Sequence, residues 1–449
     1  MSILTRKDAE YLIASGLLSP TSNDDTQMIH KRRLNRWSDE EYSDLPLDAF
    51  SSATSSTQFY NIPKDLISLA TLRHLGFNNE TAAYIWGQWE KKRGTITLID
   101  FATNHVKNKR VKDAFEDRDQ DWHDFMNDCG ISVEVQKHIM DPVFQDIRMS
   151  ESCLFWVTDT MELRYRGLEE VKKTSYWRAA TLAAQRSRRK GAKYAKNEAL
   201  TNATSNSMLW NATTSKDKDN LNFVTIYKGI DRGRAEGLLN DVTGEVINIH
   251  PLISNSLTGF KSNIQGSALY FTAQHDVAVS YACYIKHRDN ISGIIIVNIK
   301  MPLYAIRLLP KQRLQEIYWP SSQWKTLVYN LRRNKGLPSE VGKSLSSALL
   351  IMATISTKPN QAYRKLTSPE QVTKECCLKD EKGEPAIQYV FRGEKGVDFI
   401  DRHTVGGKTA HGLTNSEYVQ WCQDRRYESE EEHLSDESLV DLGDEMNRM

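Results

Sequence analysis

The chain has 449 residues, of which 39% are hydrophobic and 26% are charged. This composition is typical of a folded globular protein and excludes a largely disordered chain. The longest apolar runs, residues 293–299 and 348–355, are much shorter than the ~20 residues that a membrane-spanning helix requires. Charged residues from position 6 onward interrupt the N-terminal sequence, so we expect neither a secretory signal nor a membrane anchor.

The six cysteines form no CxxC pair, and no histidine lies at zinc-finger spacing from them. Free thiols in a reducing compartment, the cytoplasm or the nucleus, are therefore expected. The histidines that we considered as metal ligands, His123, His250 and His275, are too scattered in sequence to indicate a metal site.

Two polar stretches, 51–57 and 202–220, contain few apolar residues and many turn formers. They predict boundaries because such segments bury little surface. The resulting domains are an N-terminal arm with a linker (1–58), a helical domain (59–201), a linker (202–220), a second domain (221–423) and a tail (424–449). The tail has ten acidic and three basic residues, so we predict that it is disordered.

The helical domain shows the 3.6-residue apolar period. We predict a helix over 62–77 with Pro63 in its first turn, and a second helix that begins after the N-cap Asn79. Further helical patterns cover 110–127 and 155–168. This segment resembles uncharacterised fungal proteins, a likeness that implies no chemistry.

The second domain has short β-rich runs at 224–227, 268–271, 294–299 and 388–391, bounded by glycine, proline or charged residues. Helical patterns at 273–286 and 323–334 lie between them. This arrangement predicts an α+β fold with a mixed sheet rather than a regular βαβ alternation.

The order of these runs resembles ADP-ribosyltransferases and PARP-like enzymes. Tyr227-Lys-Gly229 resembles their first strand, the run Leu269-Tyr-Phe271 followed by a helix with Tyr281 resembles the next segment, and residues 292–299 resemble their central strand. Residues 323–329 resemble a tryptophan-containing helix of related small proteins, and 349–356 with 388–400 resemble the last strands and closing helix. The resemblance covers about residues 222–402.

The resemblance implies that NAD binds as substrate in a cleft between two small sheets. It assigns the nicotinamide amide to the backbone of Gly229, the stacking position to Tyr281 and a place in the pocket wall to Tyr270. Lys228 stands where the family has arginine or histidine, and Ala278 stands where a hydroxyl is common.

The family also uses a carboxylate to stabilise the oxocarbenium-like state that forms when the bond between nicotinamide and ribose breaks. The candidates in this sequence are Glu316 and Gln323, and a glutamine would supply no negative charge. The alternative for these positions is purely structural: core aromatics at Tyr270 and Tyr281, a strand end at Lys228 and a surface acid at Glu316.

A basic stretch at 171–197 has nine lysines and arginines and no acid, with its densest cluster at Arg186, Arg188, Arg189 and Lys190. Together with the aromatics Tyr176, Trp177 and Tyr194, it indicates either a nucleic-acid contact or a solvated helix end. Three hypotheses follow: ADP-ribosyl transfer to an unknown protein or nucleic-acid acceptor, a non-catalytic interaction protein of the same fold, and association with nucleic acid.

Overall fold

The computed structural model describes residues 2–19, 25–30, 59–109, 119–191, 222–235, 237–240, 245–253, 267–289, 291–333, 335–358, 360–405 and 407–426, without the side chains of 182 and 184–191. The two predicted linkers and the tail from 427 to 449 lie outside these residues.

Fifteen helices are present in the described residues. Those of the N-terminal half are α1 Arg6–Ala14, α2 Leu69–Leu75, α3 Asn79–Glu90, α4 Leu98–Asn108, α5 Asp119–Asp128, α6 Val133–Met140, α7 Gln145–Arg148 and α8 Cys153–Gly191. Those of the C-terminal half are α9 His275–Arg288, α10 Leu303–Arg307, α11 Ser322–Arg332, α12 Ser339–Ser347, α13 Asn360–Arg364, α14 Gly393–His403 and α15, residues 415–426.

The strands that the structure describes are β1 Thr26–His30, β2 Phe59–Pro63, β3 Phe223–Asp231, β4 Ala268–Thr272, β5 Ile294–Pro302, β6 Leu314–Ile317, β7 Leu350–Thr354, β8 Ile387–Arg392 and β9 Lys408–Leu413. β1 and β2 form a separate antiparallel pair. The other seven form one sheet in the order β6-β7-β8-β4-β3-β5-β9, in which only β6 and β7 pair in parallel among the described strands. The prediction of an α+β chain with a mixed sheet is confirmed at this level.

The single helix predicted over 62–77 is wrong. Pro63 ends β2, where its ring is tolerated at the edge of a two-stranded ladder. The helix begins only after Ser68, whose hydroxyl accepts a hydrogen bond from the Thr71 amide at 3.1 Å. It ends at Gly76, which adopts a φ of 115°. The next helix is capped by Asn78, one residue before the predicted cap.

The N-terminal residues pack against the helical region instead of forming an arm. Ile3, Leu12 and Ile29 are fully buried in the hydrophobic core of that region. Asp8 is buried as well, and its carboxylate accepts two hydrogen bonds of 2.8 Å from Arg178 on α8. This bidentate contact offsets the cost of burying the charge and fixes α1 on α8.

The helical region and the sheet region share a hydrophobic core. Tyr284 and Cys283 on α9 are buried in the same cluster as Trp122 and Trp156 of the helical region. The Phe144 and Tyr284 rings stack with their centroids 5.0 Å apart, and the Tyr284 hydroxyl donates to the carbonyl of Ile139 at 2.9 Å. The N-terminal end of α8 therefore lies against α9, and this contact forms the wall of the site described next.

Candidate functional site

The seven-stranded sheet opens between β3 and β4. β3 pairs with β5 along its whole length, yet in the described part of the sheet it meets β4 only at Tyr227 and Thr272. Beyond that point the two strands diverge. The Lys228 side chain crosses the opening, and its ammonium donates a hydrogen bond to the carbonyl of Tyr270 at 3.3 Å. The sheet is thus divided into a four-stranded and a three-stranded part.

A cavity of about 520 Å³ lies at this opening. Its volume is within the range of small-molecule sites. One wall comes from the N-terminal part of α8 and the residues before it, and the other from β3, β4 and α9. The polar residues of its lining that matter most here are Glu151, Asp159, Glu162, Arg166, Lys228, Arg234, Tyr270, Tyr281 and Arg288.

All four residues assigned to NAD by the family resemblance line this one cavity. They are Lys228, Gly229, Tyr270 and Tyr281. Burial lowers the pKa of Lys228 to about 8, and the nearby positive charge of Arg234 lowers it further, whereas Asp159 opposes the shift. The amine therefore still carries a proton at neutral pH.

The two tyrosines differ in their hydrogen bonds. The Tyr281 hydroxyl donates to the Ser150 hydroxyl at 3.1 Å, and burial, together with the charge of Glu151, raises its pKa to about 12. The Tyr270 hydroxyl is buried but makes no hydrogen bond with the described residues, and burial raises its pKa as well. A buried hydroxyl of this kind is well suited to bind a polar ligand group.

Gly229 is required by helix packing. A Cβ atom at this position would lie 2.6 Å from the Ala278 carbonyl oxygen and 2.8 Å from the Ala282 Cβ on α9. The sequence analysis attributed this glycine to the close approach of a ligand, whereas the structure shows that α9 is the element that comes close. The small residue Ala278, where the family often has a hydroxyl, permits the same contact. The backbone of Gly229 nevertheless lines the cavity.

Asp159 connects the two walls. Its carboxylate accepts hydrogen bonds from Arg234, which follows β3, and from Arg288 at the end of α9, the latter at 2.8 Å. Burial alone would raise the pKa of Asp159, but the two guanidinium groups outweigh it and lower the pKa. Arg288 is fully buried, with its guanidinium carbon 4.7 Å from the Trp156 ring centroid and 4.6 Å from that of Tyr284.

Glu316 and Gln323 are not among the cavity-lining residues. Tyr270 is aligned through Val390 and Ile351 with Gln315 on β6. Glu316 is the next residue, so its exposed side chain lies on the opposite face of the sheet, three strands away. Gln323 lies in the first turn of α11, after the cap residue Ser321.

The carboxylate that lies nearest both tyrosines is Glu151. It is buried, lines the cavity and contributes to the raised pKa of Tyr270 and of Tyr281. Sequence reasoning missed it because Glu151 precedes α8, in the segment to which no chemistry was assigned. The polar run Ser150-Glu-Ser152 between two apolar segments was the available signal.

Other parts of the chain show less. The backbone of Arg186, Arg188, Arg189 and Lys190 is helical within α8, but their side chains lie outside the described residues, as does Tyr194. No helix among the described residues is both long and apolar enough to cross a membrane. Searches of protein-family models, of curated proteins and of solved structures find no significant match to this chain.

Proposed function

We propose that the sheet region is an ADP-ribosyltransferase-like domain that binds NAD in the cavity between β3 and β4 and transfers its ADP-ribose to an acceptor. The observation that carries the proposal is the convergence of Lys228, Gly229, Tyr270 and Tyr281 on one cavity at the opening of the sheet. These residues were selected from the sequence before their positions were known, and they come from three different elements.

The chemistry of the cavity suits a dinucleotide. Among the described lining residues, five are cationic (Lys107, Arg166, Lys228, Arg234, Arg288) and three are acidic (Glu151, Asp159, Glu162). The resulting positive balance favours a pyrophosphate. The Tyr281 ring is the stacking surface for nicotinamide, and the Tyr270 hydroxyl and the Gly229 backbone supply polar contacts.

Glu151 is the carboxylate that we assign to the reaction, in place of Glu316 and Gln323. Cleavage of the bond between nicotinamide and ribose builds positive charge on the ribose, and the nicotinamide leaves with the bonding electrons. A fixed carboxylate in a water-poor site stabilises this charge strongly. Asp159 and Glu162 are already engaged by arginines, Asp159 by Arg234 and Arg288 and Glu162 by Arg166 at 3.3 Å.

The second candidate is an interaction protein that binds NAD or a similar nucleotide without turnover. It is favoured by the departures at Lys228 and Ala278. Lysine lacks the planar fork with which arginine holds two oxygens at once. In this case the cavity would sense the nucleotide, and the partner would be a protein that recognises the loaded form.

Calorimetric titration with NAD, together with an assay for nicotinamide release from labelled NAD in cell extract, tests both candidates. We expect binding by the full chain and a measurable loss of affinity in Tyr281→Ala. Absence of heat with millimolar NAD contradicts the cavity assignment and both candidates with it. Binding without nicotinamide release selects the non-catalytic candidate. Because the side chain of Tyr281 is partly buried, the folded state of the variant should be checked by circular dichroism.

A further inference from the structure

We propose that the chain has a second binding site, a groove for single-stranded nucleic acid on the C-terminal half of α8, separate from the NAD cavity. The groove has a volume of about 400 Å³. Its aromatic and cationic residues are Arg166, Lys172, Lys173, Tyr176 and Trp177. The proposal does not depend on the proposed function.

The aromatic side chains of the groove are unusually exposed. Trp177 is 66% and Tyr176 is 53% accessible to solvent. They are neighbours on a helix whose other side is fixed to α1, because Ser175 accepts a hydrogen bond from the Thr5 amide at 2.9 Å and Arg178 holds Asp8. The helix is therefore a rigid support, and both rings lie away from the core. Exposed aromatic rings on a rigid support are what a nucleobase stacks on.

The charge around these rings favours a polyanion. Lys172 and Lys173 lie one helical turn before Tyr176 and Trp177, and the sequence from 171 to 197 has nine basic residues and no acid. The acids of the groove are Glu169 and Glu170 at its other end, where Glu170 forms an ion pair with Arg232 at 3.6 Å. A partner with phosphates near the lysines and bases on the rings matches this pattern better than an apolar or acidic-tipped protein segment.

The position of the groove agrees with a strand that approaches the cavity. Arg166 lines both spaces, and the residues that α8 contributes follow one another at intervals of three or four along one side of the helix. The groove also lies before the basic cluster Arg186 to Lys190 in sequence. The inference thus assigns recognition to Trp177 and Tyr176, with the later arginines adding non-specific attraction.

The test is fluorescence anisotropy with labelled oligouridylate and the corresponding oligothymidylate, which separate RNA from DNA. We expect binding at low salt that weakens as salt rises, because phosphate contacts release counterions. Trp177→Ala should weaken binding roughly tenfold through the lost stack. Lys172→Ala with Lys173→Ala should reduce the salt slope by about two, one for each lost phosphate contact.

Tyr84→Ala is the matched control, since Tyr84 is an equally exposed aromatic (59%) on a different helix; it should bind as the wild type does. Three results would overturn the proposal: no binding of either oligonucleotide at low salt, equal affinity of Trp177→Ala and wild type, or binding of an acidic peptide in preference to both oligonucleotides. Because Trp177 is exposed, unfolding of that variant is not expected, and Tyr176→Ala provides an independent second measurement.

Discussion

The ammonium of Lys228 on β3 donates a hydrogen bond to the Tyr270 carbonyl on β4 at the point where the two strands no longer pair. The side chain satisfies a backbone acceptor that a continuous ladder would have satisfied with an amide. The sheet can therefore open without leaving this carbonyl unpaired, and both residues remain at the edge of the cavity.

The depressed pKa of Lys228 predicts a pH dependence of stability. Burial lowers this pKa to about 8, whereas an unfolded lysine has a pKa of about 10.4. Between these values the unfolded chain binds more protons than the folded one, so the contribution of Lys228 to stability rises with pH across this window. Urea unfolding at a series of pH values should show the wild type gaining stability relative to Lys228→Met from about pH 8 upward. Parallel curves for the two proteins would contradict the depressed pKa.

Gly229→Ala should destabilise the fold. The added Cβ would lie 2.6 Å from the Ala278 carbonyl oxygen, a backbone atom that cannot move alone. The expected loss in the free energy of unfolding is about 1–3 kcal/mol, as for overpacking elsewhere. Gly342→Ala on α12 is the control, because no atom lies within 4 Å of its added Cβ; it should be neutral or stabilising by up to about 1 kcal/mol. Equal unfolding curves for the two variants would argue against close packing of α9 on β3.

Asp8→Ala tests whether the N-terminal residues are part of the core. The substitution leaves Arg178, whose side chain is only 18% exposed, without its buried partner. We expect a loss of about 3 kcal/mol in the free energy of unfolding. The comparison is Glu10→Ala, which removes the exposed ion pair with Arg6 on the same helix and should cost less than about 1 kcal/mol. Similar small effects of both changes would mean that α1 does not pack on α8.

Glu151→Gln should separate binding from chemistry. Glutamine preserves shape and removes the charge, so NAD affinity should change by less than about threefold while nicotinamide release falls by about a hundredfold or more. Glu316→Gln is the matched control on the opposite face of the sheet and should leave both unchanged. A larger effect of Glu316→Gln than of Glu151→Gln would reverse our assignment of the carboxylate.

The strands were the most predictable part of the fold. Residues 268–271 and 294–299 are β-rich runs between turn formers, and the structure places β4 and β5 there. The short strand β6 and the edge strand β9 were missed, because their sequences, Leu314–Ile317 and Lys408–Leu413, contain too few β-branched or aromatic residues to stand out. Strands of this type are stabilised by their neighbours in the sheet.

Local sequence alone determined the α+β class, the central strands and four of the residues that line the cavity, since each depends on short-range pattern or on a motif of a few residues. Only the tertiary structure decided which carboxylate accompanies them. Glu151 and Tyr281 are 130 positions apart in the chain, yet Ser150 contacts the Tyr281 hydroxyl because α8 and α9 share a core. Glu316 lies close to the other candidates in sequence, but the two-residue period of a strand turns its side chain to the opposite face.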